Sequence, residues 1–128
     1  MKSEVMFFVR DVQSSSRWYQ ELLGVKSGHG GAEYEMIVDE KGELLFQFHH
    51  LDGDEHGVKL TDDSTPRGGG VLVYLAVDDV HAIHAKATAM GAVVLGEPTY
   101  IELAGHTEFI VRDPDGYSLA IYSTGQVR

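Results

Sequence analysis

An internal repeat constrains this chain more than any other feature. An apolar stretch runs into Asp-Val, continues into a helix-like segment that stops at glycine, and restarts, first across Val5 to Val25 and again across Val71 to Val94. Setting Asp11-Val12 on Asp79-Val80 carries Gly24 to within one residue of Gly91. Each copy has an apolar face that it cannot bury alone, so the repeat predicts two copies of one supersecondary unit that pack together and leave a ligand-sized crevice.

Length and charge narrow the classes. A chain of 128 residues, 43% hydrophobic, suffices for one core but not for two large domains. We read one domain over residues 1–128, with module one at about 1–60, a linker at about 61–70 and module two at about 71–128. The net charge of -10 repels phosphate backbones and anionic lipid, which argues against nucleic acid and membrane surfaces as partners. No apolar run approaches the roughly 20 residues that span a bilayer, and no signal-peptide pattern opens the sequence, so a cytoplasmic location is expected. Without cysteine, disulfides and thiolate chemistry are excluded, and the side chains left as possible metal ligands are His, Asp and Glu.

Local patterning gives the elements. Glu4 to Val9 reads as a buried strand, and Asp11 to Ser16 supply helix-start chemistry. Trp18, Leu22 and Leu23 recur at helical spacing before Gly24. Glu33 to Asp39 and Leu44 to His50 flank Glu40-Lys41-Gly42 as a hairpin. The chain turns polar from Asp52 and ends that stretch at Pro66-Arg67-Gly68-Gly69-Gly70. Module two follows as a strand at Val71 to Val77, a helix at Val80 to Met90 with Val80, Ile83, Ala87 and Met90 inward, and strands at Val93 to Leu95, Thr107 to Val111 and Ser118 to Tyr122. Asp113-Pro114-Asp115-Gly116 has the preferences of a type I turn joining the last two strands.

Three segments invite chemical readings that their context answers. Gly28-His29-Gly30-Gly31 lies before a strand, without the helix a phosphate-cradling turn requires, and reads as a plain turn. Asp52, Asp54, Gly57 and Asp63 imitate part of a calcium loop, but His56 stands where an oxygen ligand belongs; we expect a solvated acidic loop or a lid over a bound ligand. The serines cluster at a helix start, where capping explains them, so no Ser-His-Asp set is proposed.

Taken in order, Phe8-Val9-Arg10-Asp11-Val12, Trp18-Tyr19, Leu22-Leu23-Gly24, Val77-Asp78-Asp79-Val80, Gly105-His106, Glu108-Phe109 and Arg112-Asp113-Pro114-Asp115-Gly116-Tyr117 resemble the vicinal-oxygen-chelate superfamily of glyoxalases, bleomycin-resistance proteins, fosfomycin-resistance proteins and extradiol dioxygenases. The resemblance covers nearly the whole chain. It implies an α+β fold of two tandem βαβββ modules whose curved sheets surround a central cavity, and a homodimer. Metal-using members of that superfamily carry ligands at positions that fall here on Glu4, Gln47, Leu72 and Ala120. Leu72 and Ala120 have no donor atoms, so the resemblance implies no cofactor, with Glu4, Gln47 and His49 the weak remaining candidates for a divalent ion.

Alternation on a strand puts Gln47 and His49 on one face, opposite Phe46 and Phe48. His106 and Glu108 likewise share a face, with Glu108 expected to pair with Arg112 or a backbone group, or to act with His106. Tyr74 and Tyr122 lie two residues beyond Leu72 and Ala120 and are candidate aromatic walls. The first reading is a metal-independent binding protein of the bleomycin-resistance type, holding a small organic molecule among Glu4, Met6, Gln47, His49, Leu72, Tyr74, His106, Glu108, Ala120 and Tyr122. The alternative is a glyoxalase-like lyase or isomerase, or a dioxygenase-type enzyme, with a rearranged metal site or with Glu4 and His49 as a catalytic acid-base pair. A pure interaction module is a third, and would expose a large apolar surface.

Overall fold

The computed structural model describes residues 1–51, 56–57 and 60–128; Asp52 to Glu55, the heart of the calcium-like run, lie outside the described residues. The chain divides into two compact units, Met1–Pro66 and Arg67–Arg128. Among the described residues each holds one helix and one four-stranded mixed sheet, the α+β arrangement expected of a tandem βαβββ chain.

In the first unit, β1 (Met6–Val9) leads into α1 (Val12–Leu23), and β2 (Lys26–Ser27), β3 (Tyr34–Val38) and β4 (Leu44–His50) follow. The sheet order is β1-β4-β3-β2, with β1 parallel to β4 and the rest antiparallel. A parallel pair needs a long crossover, and α1 supplies it. Asp11 starts the helix by accepting from the Ser14 N–H at 2.9 Å, and Gly24 ends it at φ 69° while its N–H donates to the Gln20 carbonyl. The helix buries Val12, Ser15, Ser16, Tyr19 and Leu22, whereas Trp18 and Leu23, which recur at helical spacing with Leu22, are half-buried. Tyr19 is the inward aromatic because it meets Phe46 and Phe48 at ring distances of 4.9 and 5.2 Å, and Phe7 stacks on Phe46 at 5.5 Å. Trp18 packs edge-on against Tyr19 at the rim of this cluster.

A carboxylate is buried in the same unit. Glu35 is 3% exposed and accepts from the hydroxyls of Ser16 (2.8 Å) and Ser27 (2.7 Å) and from the N–H groups of His29, Gly30 and Met36. It ties α1, β2 and the Gly28–Gly31 turn together, and it occupies two of the N–H groups that a phosphate would have needed there. Burial opposes its charge, but the bonds from Gly30, Ser27, Ser16 and Met36 prevail and hold its carboxyl below the usual glutamate value.

The second unit repeats the plan with β5 (Leu72–Ala76), α2 (Val80–Ala89), β6 (Val93–Ile101), β7 (His106–Arg112) and β8 (Ser118–Thr124), in the order β5-β8-β7-β6 with β5 parallel to β8. Asp79 caps α2 through the Ala82 N–H, and Ser123 adds a second clamp by accepting from the Val80 N–H and donating to the Val77 carbonyl. Phe109, Val111, Leu119 and Ile121 form the buried face of this sheet. β6 runs six residues beyond its expected end at Leu95. Gly96 and Pro98 look like breakers in sequence, yet they sit in a register shift between Leu95 and Thr99, after which pairing with β7 resumes. The turn at Asp113 forms as expected. Gly116 N–H donates to the Asp113 carbonyl at 3.0 Å, and Asp113 Oδ1 accepts from the N–H groups of Asp115 and Tyr117.

Candidate functional site

The second sheet turns Phe109, Val111, Leu119 and Ile121 to one side, so alternation turns Tyr74, His106, Glu108, Ile110, Ala120 and Tyr122 to the other. Register then sets them in rows: Tyr74, Ala120 and Ile110 pair across the sheet, and Tyr122 and Glu108 pair in the next row. Three rings gather there. His106 lies 4.4 Å from Tyr122 at an interplanar angle of 29°, and Tyr74 meets Tyr122 and His106 at 5.8 and 5.6 Å. Ala120, fully buried between Tyr74 and Ile110, adds no bulk to the middle of this face.

Glu108 does not reach Arg112. Its Oε1 lies 2.7 Å from His106 Nε2, with the two side chains 14% and 12% exposed. Residues two apart on a strand share a face, which brings this pair together and puts Arg112 a further two rows away. A carboxylate at that distance fixes the ring's orientation through a hydrogen bond from Nε2. The arrangement can hold a planar group by stacking, accept or donate one proton, and attract a positive edge through Glu108.

The same face continues toward the start of β5 as an open groove of about 570 Å³, lined by Leu72, Ile110, Arg112, Ser118, Gly116 and the loop from Arg67 to Val71. One wall is locked. The buried Arg67 guanidinium binds Asp115 at 3.0 Å, which joins the loop to the Asp113 turn.

On the first sheet, Met6 pairs with Gln47, and Tyr34 and Phe8 pair with His49. Tyr34 donates a hydrogen bond to Gln47 Oε1, so the amide oxygen that the resemblance offers to a metal is already engaged. Burial, then the nearby carboxylates of Glu4 and Glu35, push the Tyr34 phenol above its usual value. His49 is 8% exposed, its Nδ1 lies 2.8 Å from the His50 carbonyl oxygen, and its ring lies 5.0 Å from Phe8. Glu4 precedes β1 and pairs with Lys2 at 3.2 Å, not with His49.

Of the expected residues, the second unit therefore assembles Tyr74, His106, Glu108, Ala120 and Tyr122, with Leu72 in the adjoining groove; the first unit places Met6, Gln47 and His49 on one sheet face and Glu4 at its margin. At the positions the resemblance offers to a metal, Leu72 and Ala120 have no donor atom, Glu4 pairs with Lys2 and Gln47 Oε1 accepts from Tyr34, a donor set poorer than a divalent ion needs. Sequence reasoning missed Tyr34 and Arg112. Alternation with Met36 in the expected hairpin could have pointed to Tyr34, and counting back two residues at a time from Arg112 through Ile110 to Glu108 could have placed Arg112 on the site face.

A family model described as the Glyoxalase/Bleomycin resistance protein/Dioxygenase superfamily matches residues 3–121. Solved structures share the fold. A protein of unknown function from Agrobacterium tumefaciens is 23% identical with a TM-score of 0.78, over 97% of this chain and 94% of that one. A glyoxalase/bleomycin resistance protein/dioxygenase family enzyme from Burkholderia phytofirmans is 21% identical at 0.76, over 95% and 97%. A glyoxalase-related enzyme from Fulvimarina pelagi is 18% identical at 0.76, over 97% and 88%. No match is found among curated proteins.

Proposed function

Because the chain belongs to the Glyoxalase/Bleomycin resistance protein/Dioxygenase superfamily, we propose that it is a member that binds a small organic molecule without the metal many of its relatives use. The observation that carries this reading is the gathering of Tyr74, His106 and Tyr122 around Ala120, a residue with no donor atom at a position where the resemblance puts a metal ligand. Aromatic rings beside an apolar floor hold a planar ligand by stacking and area burial, with Glu108 and His106 orienting its polar groups. A cytoplasmic homodimer belongs to the same proposal.

Metal content of protein purified without chelator tests it, together with melting scans in zinc, nickel, manganese and iron(II). An ion that binds only the folded state must raise the melting temperature. The expected outcome is no stoichiometric metal and no shift; a stoichiometric ion whose removal lowers the melt overturns the reading.

One observation favours the enzyme alternative, in a form that uses module two. The 2.7 Å contact between His106 and Glu108 is the geometry of a carboxylate-oriented general base, suited to proton transfer in a lyase or isomerase. Glu108→Gln separates the two. In a binding protein it changes ligand affinity by no more than about tenfold, whereas in the enzyme it lowers kcat by roughly 100-fold or more.

A further inference from the structure

Two rows from Glu108, the site face carries a positive charge. Arg112 is exposed, borders the groove, and has no carboxylate partner among the described residues. The loop that lines the same groove presents three successive glycines whose reasons differ. At Gly68 a Cβ would stand 2.8 Å from the Tyr117 ring and 3.1 Å from its Cα, so packing demands glycine. Gly70 has φ 78° at the third position of the turn closed by Val71 N–H on the Gly68 carbonyl, as a type II turn requires. Gly69 has neither reason, since its φ is ordinary and a Cβ there would meet nothing within 4 Å.

Gly69 and Gly70 both line the groove. Among the described residues the N–H groups of Gly69 and Gly70 have no protein acceptor, and Ser118 adds a hydroxyl beside them. Successive N–H groups in a turn facing a guanidinium make an anion-binding concavity. In a chain of net charge -10, an organic anion is repelled by most of the surface and needs such a place. The floor between this anion position and the rings is apolar, formed by Leu72 and Ile110. From Ser118 to Tyr122 the strand advances four residues, about 13 Å. A groove of about 570 Å³ lies within the roughly 300–1,000 Å³ of small-molecule sites.

We propose that the ligand of this sheet is an aromatic carboxylic acid bound as its anion, with the carboxylate at Arg112 and the N–H groups of Gly69 and Gly70, and its rings laid over Leu72 and Ile110 toward Tyr74 and Tyr122. This rests on the reading of the aromatic cluster as a ligand site and adds the charge and length of what it selects.

The test uses the full chain with biphenyl-4-carboxylate and its neutral carboxamide, read by calorimetry and by amide and tyrosine NMR shifts. The carboxylate is expected to bind at least about tenfold more tightly and to move the signals of Gly69, Gly70 and Tyr122. Arg112→Gln is expected to bring the two affinities together, Arg112→Lys to keep part of the preference, and Gly69→Val to weaken both ligands with an unchanged melting temperature. Equal affinities with Tyr122 shifted would overturn the anion position and leave the aromatic site standing. Shifts at Gly69 and Gly70 with Tyr74 and Tyr122 silent would defeat the aromatic reading, and the bridging ligand with it. A carboxylate preference that survives Arg112→Gln, or no carboxylate binding below about 1 mM, also overturns the proposal.

Discussion

Glu35 shows how far one side chain can set the behaviour of its surroundings. It is buried, charged and supplied with five donors from α1, β2, the following turn and its own strand β3, so its stabilising effect depends on remaining ionised. Its folded pKa lies below the unfolded value of 4.5, so it contributes stability above that pH and loses it as pH falls through the folded value. Urea midpoints measured from pH 6 to pH 3 are expected to drop most steeply below about 4.5, with Glu35→Gln flattening the drop. At pH 7 the same substitution is expected to cost about 1–3 kcal/mol, because an amide cannot accept from all five donors. A midpoint independent of pH in that range would sink this account. Nothing in the sequence announced Glu35. Its apolar neighbours Met36 and Ile37 mark a strand, but which glutamate turns inward depends on Ser16 and Ser27 arriving from elsewhere in the chain. Tyr34 escaped for the same reason, since its partner Gln47 lies across a hairpin whose register only the folded chain fixes.

The elements were far more legible. Asp-Val at the start and glycine at the end bracket α1 as the chemistry of orphaned N–H and carbonyl groups requires, and alternation around Gln47 and His49 placed both opposite the buried Phe46 and Phe48. The failure at β6 is instructive: Gly-Glu-Pro ends most strands, but the register shift at Gly96 to Pro98 absorbs both residues and lets pairing resume at Thr99. In α2 the sequence showed the Asp79 cap but not the Ser123 clamp, because the hydroxyl comes from the far end of the unit. The two can be ranked. Asp79→Ala is expected to lower stability by about 1 kcal/mol as the loss of an exposed cap, and Ser123→Ala by about 1–3 kcal/mol, since it strands the buried Val80 N–H. Denaturant melts of both variants check the order, and equal losses would refute the clamp.

For the whole molecule, the repeat legible in sequence gave two units of one plan, and the composition gave the charge; what escaped was how the surface is partitioned. Leu72, Tyr74, Val93 and Leu95 leave 42%, 50%, 56% and 45% of their surface exposed on the second unit. Apolar area of that kind marks a surface that a ligand or a second copy covers. Sedimentation equilibrium is therefore expected to give twice the 14.1 kDa of one chain, and to give the same mass at about 0.5 M salt, where screening weakens charge contacts but not apolar ones. A single-chain mass at both salt concentrations would refute the dimer. Gly69 has a different kind of consequence. Three neighbouring positions of the groove's loop are pinned: Gly68 by Tyr117, Gly70 by its turn, Arg67 by Asp115. Gly69 alone among these three glycines can accept a side chain without strain or collision. If the groove holds the proposed ligand, a single codon change there would alter what fits while leaving the scaffold untouched, so descendants of this fold could diverge in selectivity before they diverge in shape.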